Sequence, residues 1–92
     1  MGNGYSQERL GRFYLNGWAG EKDVEKALEW FKKASRNGRE RAYYEIGLIH
    51  EKQQKYSQAI RWYLLSAING YNFGLKRAVY LMVLYPVISF RT

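Results

Sequence analysis

Ala27-Leu28-Glu29-Trp30-Phe31, followed by Gly38, returns as Ala59-Ile60-Arg61-Trp62-Tyr63, followed by Gly70, with every position moved by 32 residues. Ahead of each copy stands a related pattern, Leu10-Gly11 with Tyr14 and then Ile46-Gly47 with His50, moved by 36, so the first connection is four residues longer than the second. An internal period of this length is the sequence signature of stacked helical hairpins, because one hairpin cannot bury its apolar face alone and needs a neighbour. Such stacks present extended surfaces, and binding is the activity that follows from them.

Working outward from the repeat, helical spacing predicts a short first helix capped by Ser6, with Leu10, Phe13 and Tyr14 inward and an end at Asn16-Gly17. Gly17-Trp18-Ala19-Gly20 reads as a turn, and Asp23 as the cap of a second helix whose stripe is Val24, Ala27, Leu28, Phe31 and Ala34. Asn37-Gly38 closes it through a left-handed residue. A third helix over about 39–52 carries Ala42, Tyr43, Ile46 and Ile49, Gln53-Gln54-Lys55 makes the next turn, and a fourth helix over about 57–68 carries Ala59, Ile60, Tyr63, Leu64 and Ala67. Asn69-Gly70 closes that helix in turn, and a fifth over about 73–84 stops before Pro86. The expected fold is all-α: an α-solenoid of about two antiparallel hairpins plus a C-terminal capping helix. Its divisions are a flexible N-terminus over 1–5, a first repeat over 6–38, a second over 39–70, and the capping helix with its tail over 71–92.

Gly11 and Gly47 allow close helix approach, with Ala27 and Ala59 as the small residues offered to them. Phe31 and Tyr63, one turn further on, fill the space between neighbouring hairpins.

Composition supports a folded domain. Of the 92 residues 17% are aromatic and 25% charged, and mean hydropathy is -0.53, which fits neither a disordered nor a membrane-embedded chain. The net charge of +7 is uneven: residues 1–51 hold nine Lys or Arg and eight Asp or Glu, while 52–92 hold six basic residues and no acid. That asymmetry favours acidic proteins, nucleic acid or anionic lipid as partners, through steering and screened attraction, with nucleic acid ranked behind protein. The basic residues Lys52, Lys55, Arg61, Lys76 and Arg77, interleaved with Tyr56, Trp62, Tyr71 and Phe73, carry the nucleic-acid alternative. Nothing in the sequence is long and apolar enough to span a bilayer, and no leader is present in it, so the expected location is the cytoplasm, or the periplasm or the cell exterior if a leader has been removed. Val87-Ile88-Ser89-Phe90 makes self-association through the C-terminal tail a further expectation.

Catalysis has little to work with. There is no cysteine, His50 is the single histidine and Asp23 the single aspartate, so neither a thiol site nor a metal cluster can be assembled. Glu40, Glu45 and Glu51 read as dispersed among basic residues. No cofactor is expected.

The run Leu10-Gly11-x-x-Tyr14-x-x-Gly17, a loop, Asp23-x-x-Lys26-Ala27-x-x-Trp30-Phe31-x-Lys33-Ala34 and Gly38 resembles the Sel1-like repeat, a relative of the tetratricopeptide repeat with a longer internal loop. The second unit, with Lys55 at the usual Asp and His50 at the usual Tyr, looks more like an ordinary tetratricopeptide repeat. The resemblance implies a non-catalytic adaptor or scaffold that binds a protein or peptide on the concave face of its first helices, or a small bacterial immunity protein that blocks a toxin. Carried over by offset from Gly11 and Gly47, that face comprises Glu8, Arg12 and Leu15, then Arg41, Tyr44, Leu48 and Glu51, continued by Phe73, Lys76 and Tyr80.

Overall fold

A computed structural model describes residues 3–18 and 20–84. Ala19 of the expected first turn and the tail over 85–92, with its apolar run, lie outside the described residues. Five helices follow in order: α1 (Gly4–Leu15), α2 (Val24–Arg36), α3 (Glu40–Lys52), α4 (Tyr56–Ile68) and α5 (Phe73–Leu84). Each packs on the next in sequence, so the chain is an all-α stack of two hairpins capped by α5.

The helix ends follow from local chemistry. Asp23 caps α2 as expected, its side chain accepting the Lys26 amide at 3.0 Å. At α1 the cap is Asn3 rather than Ser6: the Asn3 side chain accepts from the Ser6 amide at 3.2 Å. The helix therefore takes in Gly4 and Tyr5, which the sequence reading assigned to the flexible tail. Gly38 (φ 90°) and Gly70 (φ 105°) stop α2 and α4 in the left-handed region. Both closures use the same bonds 32 residues apart, Arg39 N–H to the Ala34 carbonyl at 3.0 Å and Tyr71 N–H to the Ser66 carbonyl at 2.8 Å.

The two internal turns also converge on one bond. Asp23 N–H donates to the Tyr14 carbonyl and Lys55 N–H to the His50 carbonyl, each at 2.9 Å, so the longer first loop closes on the equivalent bond.

Inside each hairpin an aromatic ring lies directly on the glycine of the facing helix. A Cβ on Gly11 would stand 2.6 Å from the Phe31 ring, and one on Gly47 at 2.6 Å from the Tyr63 ring. The rings, not Ala27 and Ala59, are thus what the glycines admit. The same rings join one hairpin to the next. Phe31 is buried with Ala27, Leu28, Ile46 and Ile49, and Tyr63 with Ala59, Ala78 and Leu81. Leu10 and Phe13, expected inward, lie toward the surface, where Phe13 meets Trp18 edge-on at 6.4 Å. The inner face of α1 runs through Gly4, Glu8, Gly11 and Leu15, and Leu10 and Phe13 fall to the side of it.

Gly47→Ala tests this packing. Alanine gains about 1 kcal/mol of helix propensity, but overpacking against a buried ring costs about 1–3 kcal/mol. The clash falls on two ring carbons of a side chain also held by its hydroxyl, so the expected result in urea titration is a net loss of about 1–2 kcal/mol.

Candidate protein-binding face

The first helices α1, α3 and α5 stand on one side of the stack, and two ion networks cross between them. In the first, Glu8 on α1 is fully buried and accepts from Arg39 Nε at 2.8 Å and Arg12 Nη2 at 3.3 Å, with Arg41 Nε at 3.8 Å. Arg12 reaches on to α3, donating from Nε to Glu45 Oε2 at 2.7 Å. The other Glu45 oxygen, Oε1, is buried and has no hydrogen-bond donor among the described residues. A proton on it that donates to Glu8 satisfies both groups.

The charges follow that arrangement. Burial and then the bond with Glu8 push the Glu45 carboxyl up to about 8, against the pull of Arg12. Burial also acts to raise Glu8, but the bonds from Glu45 and Arg39 and the Arg12 charge outweigh it and hold Glu8 below the ordinary carboxylate value. One proton shared by two carboxylates keeps one negative charge out of the joint.

The second network ties α3 to α5 and α4. Arg77 grips Glu51 with both ends of its fork, Nε to Oε1 at 3.0 Å and Nη2 to Oε2 at 2.6 Å, and Tyr63 Oη donates to Oε1 at 2.6 Å. Burial would raise Glu51, yet the Arg77 and Tyr63 bonds lower it, while burial and then Glu51 raise the Tyr63 phenol.

Beside this network the aromatics gather. Tyr44 lies 5.3 Å from Tyr63 and from Tyr71, and Tyr71 lies 5.4 Å from Phe73. A recess of about 290 Å³ is lined by Tyr44, Phe73, Lys76, Arg77 and Tyr80. An adjoining one of about 390 Å³, at Gly70–Phe73, shares Phe73 and Lys76 with it. Arg77 also stacks over Tyr80 at 5.1 Å. At the far end a smaller recess of about 190 Å³ is formed by Tyr5, Arg9, Arg12 and Trp18.

Of the residues singled out from the sequence, the structure brings Tyr44, Lys76 and Tyr80 together with Phe73 around one recess. Arg12 and Arg41 belong to the Glu8 cluster at the other end of the face. Glu8 and Glu51 are held inside ion networks rather than presented. Leu48 and Leu15 are half-buried against the two core clusters and complete the core. Sequence reasoning missed Glu45, taken as dispersed, and Arg39. It also missed the Glu51–Arg77 pair, since nothing in the spacing of α3 and α5 says which residues meet across them. The Glu8 and Arg12 spacing of four was the one visible signal. His50 is half-buried with Nδ1 unbonded among the described residues, and burial, then Lys55 and Lys32, lower its pKa. No group of three or more His, Cys, Asp or Glu able to hold a metal occurs among the described residues.

The Sel1 repeat family model matches residues 4–38 and 41–71. The chain belongs to the Sel1 repeat family. It is 32% identical over 84 residues, 88% of its length, to a sel1-like repeat-containing protein of Acanthamoeba polyphaga mimivirus, and spans 16% of that relative. No solved structure gives a significant match. Sel1 repeats generally mediate protein–protein interaction and are typically non-catalytic, which agrees with a face built of ion pairs, aromatics and shallow recesses. Among the described residues no helix is long and apolar enough to cross a membrane.

The buried carboxylate pair gives this Sel1 repeat chain a specific pH signature. Glu45 ionises near 4.5 when exposed and near 8 when folded, so its contribution is fully present below pH 4.5 and lost as pH rises to about 8. The unfolding free energy from urea titration should therefore fall between pH 5 and 8, by on the order of 3 kcal/mol. Glu45→Gln, which keeps the donor, should flatten that slope; an unchanged slope would place the titrating group elsewhere.

Proposed function

We propose that this chain is a non-catalytic adaptor that holds an acidic segment of a partner protein on its first-helix face, centred on Tyr44, Phe73, Lys76 and Tyr80. The observation that carries this reading is the fate of the carboxylates. Around the face stand Arg9, Arg12, Arg39, Arg41, Lys76 and Arg77, against Glu8, Glu45 and Glu51. Glu8 and Glu51 are enclosed in ion pairs, and burial beside Glu8 pushes the Glu45 carboxyl up to about 8, so it adds little negative charge. The balance left for a partner is positive.

Lys76 makes no ion pair among the described residues and lies between two aromatic-lined recesses. A flexible ammonium beside Phe73, Tyr44 and Tyr80 suits a carboxylate flanked by apolar or aromatic side chains. Tyrosine and arginine contribute much of the energy of protein interfaces, and a cationic surface mainly speeds encounter. The relief is shallow, which fits an extended peptide or helix better than an enclosed small molecule.

The test compares capture by the wild type and by a Tyr44→Ala, Lys76→Glu double variant, checked for helicity by circular dichroism, at low and high salt. An acidic protein held by the wild type, weakened at least about tenfold in the folded variant and by salt, is the expected result. Equal capture by both forms would remove the face from the reading. Recovery of nucleic acid instead would move attention to Lys52, Lys55 and Arg61.

A further inference from the structure

Tyr5, Arg9 and Arg12 follow one another at i, i+4 and i+7 along α1, and with Trp18 they form the recess of about 190 Å³ at the far end of the face. The Trp18 backbone N–H donates to the Phe13 carbonyl at 3.1 Å and its ring meets the Phe13 ring edge-on, yet the residue is 65% exposed. An indole anchored on one edge and open to solvent is a surface on which a second ring can stack.

The cations around this recess are placed by α1 and the start of α3 together. The centre of the Tyr5 ring lies 5.8 Å from the Arg9 guanidinium and 5.2 Å from that of Arg39. Arg39 donates to Glu8 through Nε alone, which leaves its two Nη groups unspent among the described residues, and Arg12 donates through Nε and Nη2. Arg41 approaches Glu8 only to 3.8 Å, beyond hydrogen-bond range, and Arg9 enters none of the ion pairs among the described residues. Four guanidinium groups thus stand around two carboxylates. Burial beside Glu8 pushes the Glu45 carboxyl up to about 8, so at neutral pH Glu8 supplies most of the counter-charge.

Charge, size and lining together choose the ligand. A carboxylate offers one charge and two oxygens, whereas a phosphate monoester carries about −1.5 to −2 and presents three strong acceptors, which unspent guanidinium forks around one counter-charge can use. The volume is below the about 300–1,000 Å³ of pockets that enclose a whole small molecule, so the recess suits one side chain of a larger partner. The exposed rings of Tyr5 and Trp18 favour an aromatic stem on that side chain. We propose that this recess receives a phosphotyrosine of a partner protein, its ring against Trp18 and its phosphate between Arg9 and Arg12. The site shares no lining residue with the Tyr44 recess and does not depend on what binds there.

Titration of the nitrogen-15-labelled chain with a capped alanine–phosphotyrosine–alanine peptide, followed by NMR, tests this directly. The chain has three tryptophans, and loss of one indole N–H signal in Trp18→Phe identifies that of Trp18. This signal should shift saturably with a Kd below about 1 mM, while those of Trp30 and Trp62 stay in place. Arg9→Glu, at an exposed position outside the ion networks, should raise the Kd at least about tenfold with helicity unchanged. Trp18→Ala, followed by backbone amide signals, should weaken binding about threefold to tenfold, and the matching phosphoserine peptide should lose a similar factor with the wild type. The unphosphorylated peptide should give no saturable shift, and the Tyr44→Ala, Lys76→Glu double variant should bind as the wild type does. Absence of saturation, equal binding of the phosphoserine or unphosphorylated peptide, or an Arg9→Glu variant that binds normally would overturn the proposal. So would tighter, Arg9-dependent binding of oligothymidylate or of phosphatidylserine vesicles, which would make the recess a nucleic-acid or lipid contact.

Discussion

An aromatic ring seated on a glycine sets the spacing of this fold. Phe31 on Gly11 and Tyr63 on Gly47 bring the two helices of each hairpin closer than any side chain at the glycine would permit. Each ring is long enough that its far side also meets the next helix, so one contact closes a hairpin and joins it to its neighbour. The position of the first helices, side by side along one surface, is a consequence of that spacing. Tyr63 carries the constraint furthest, because its ring is in the core while its hydroxyl bonds Glu51, and Glu51 holds Arg77 at the recess.

The ion networks are secondary to this packing in energy and primary in organisation. A buried ion pair is weak evidence for stability, since desolvation of both charges opposes their attraction. Removing one partner, however, leaves the other stranded, so each network has few alternative arrangements. Arg12 spans α1 to α3 and Arg77 spans α5 to α3, which fixes the angle between successive first helices. In fixing it they also enclose the carboxylates of the face. A surface that began with mixed charge is left with exposed guanidinium and ammonium groups.

The hairpins, their glycines and the left-handed closures were legible in the sequence because each rests on a local rule: period, cap or turn. The third helix register was legible too, once Gly38 and Gly70 were aligned. What escaped were contacts across helices distant in sequence. Nothing near Glu45 announces Glu8, and nothing near Arg77 announces Glu51, for both meetings depend on how far the rings allow the first helices to approach. The Asn3 cap escaped for a different reason: Asn3 and Ser6 are both good caps, and the choice falls to whichever lets Gly4 pack beneath α2, where its missing Cβ leaves room for the Ala34 and Asn37 carbonyls. The outward turn of Leu10 and Phe13 has the same root, since apolar spacing gives a stripe but not its centre.

Helix α5 has to serve two environments at once, and its 100° step between residues makes that possible. Phe73, Lys76, Arg77 and Tyr80 fall toward α3 and mix charge with aromatic surface; Leu75, Val79, Met82 and Val83 fall away from it and are purely aliphatic. The first set is tied to α3 through Arg77 and Glu51, and so inherits the rigidity of the Tyr63 contact. The second set takes no part in the ion network, because none of its members carries a charge. A charged, aromatic side and a purely aliphatic side therefore coexist on 12 residues.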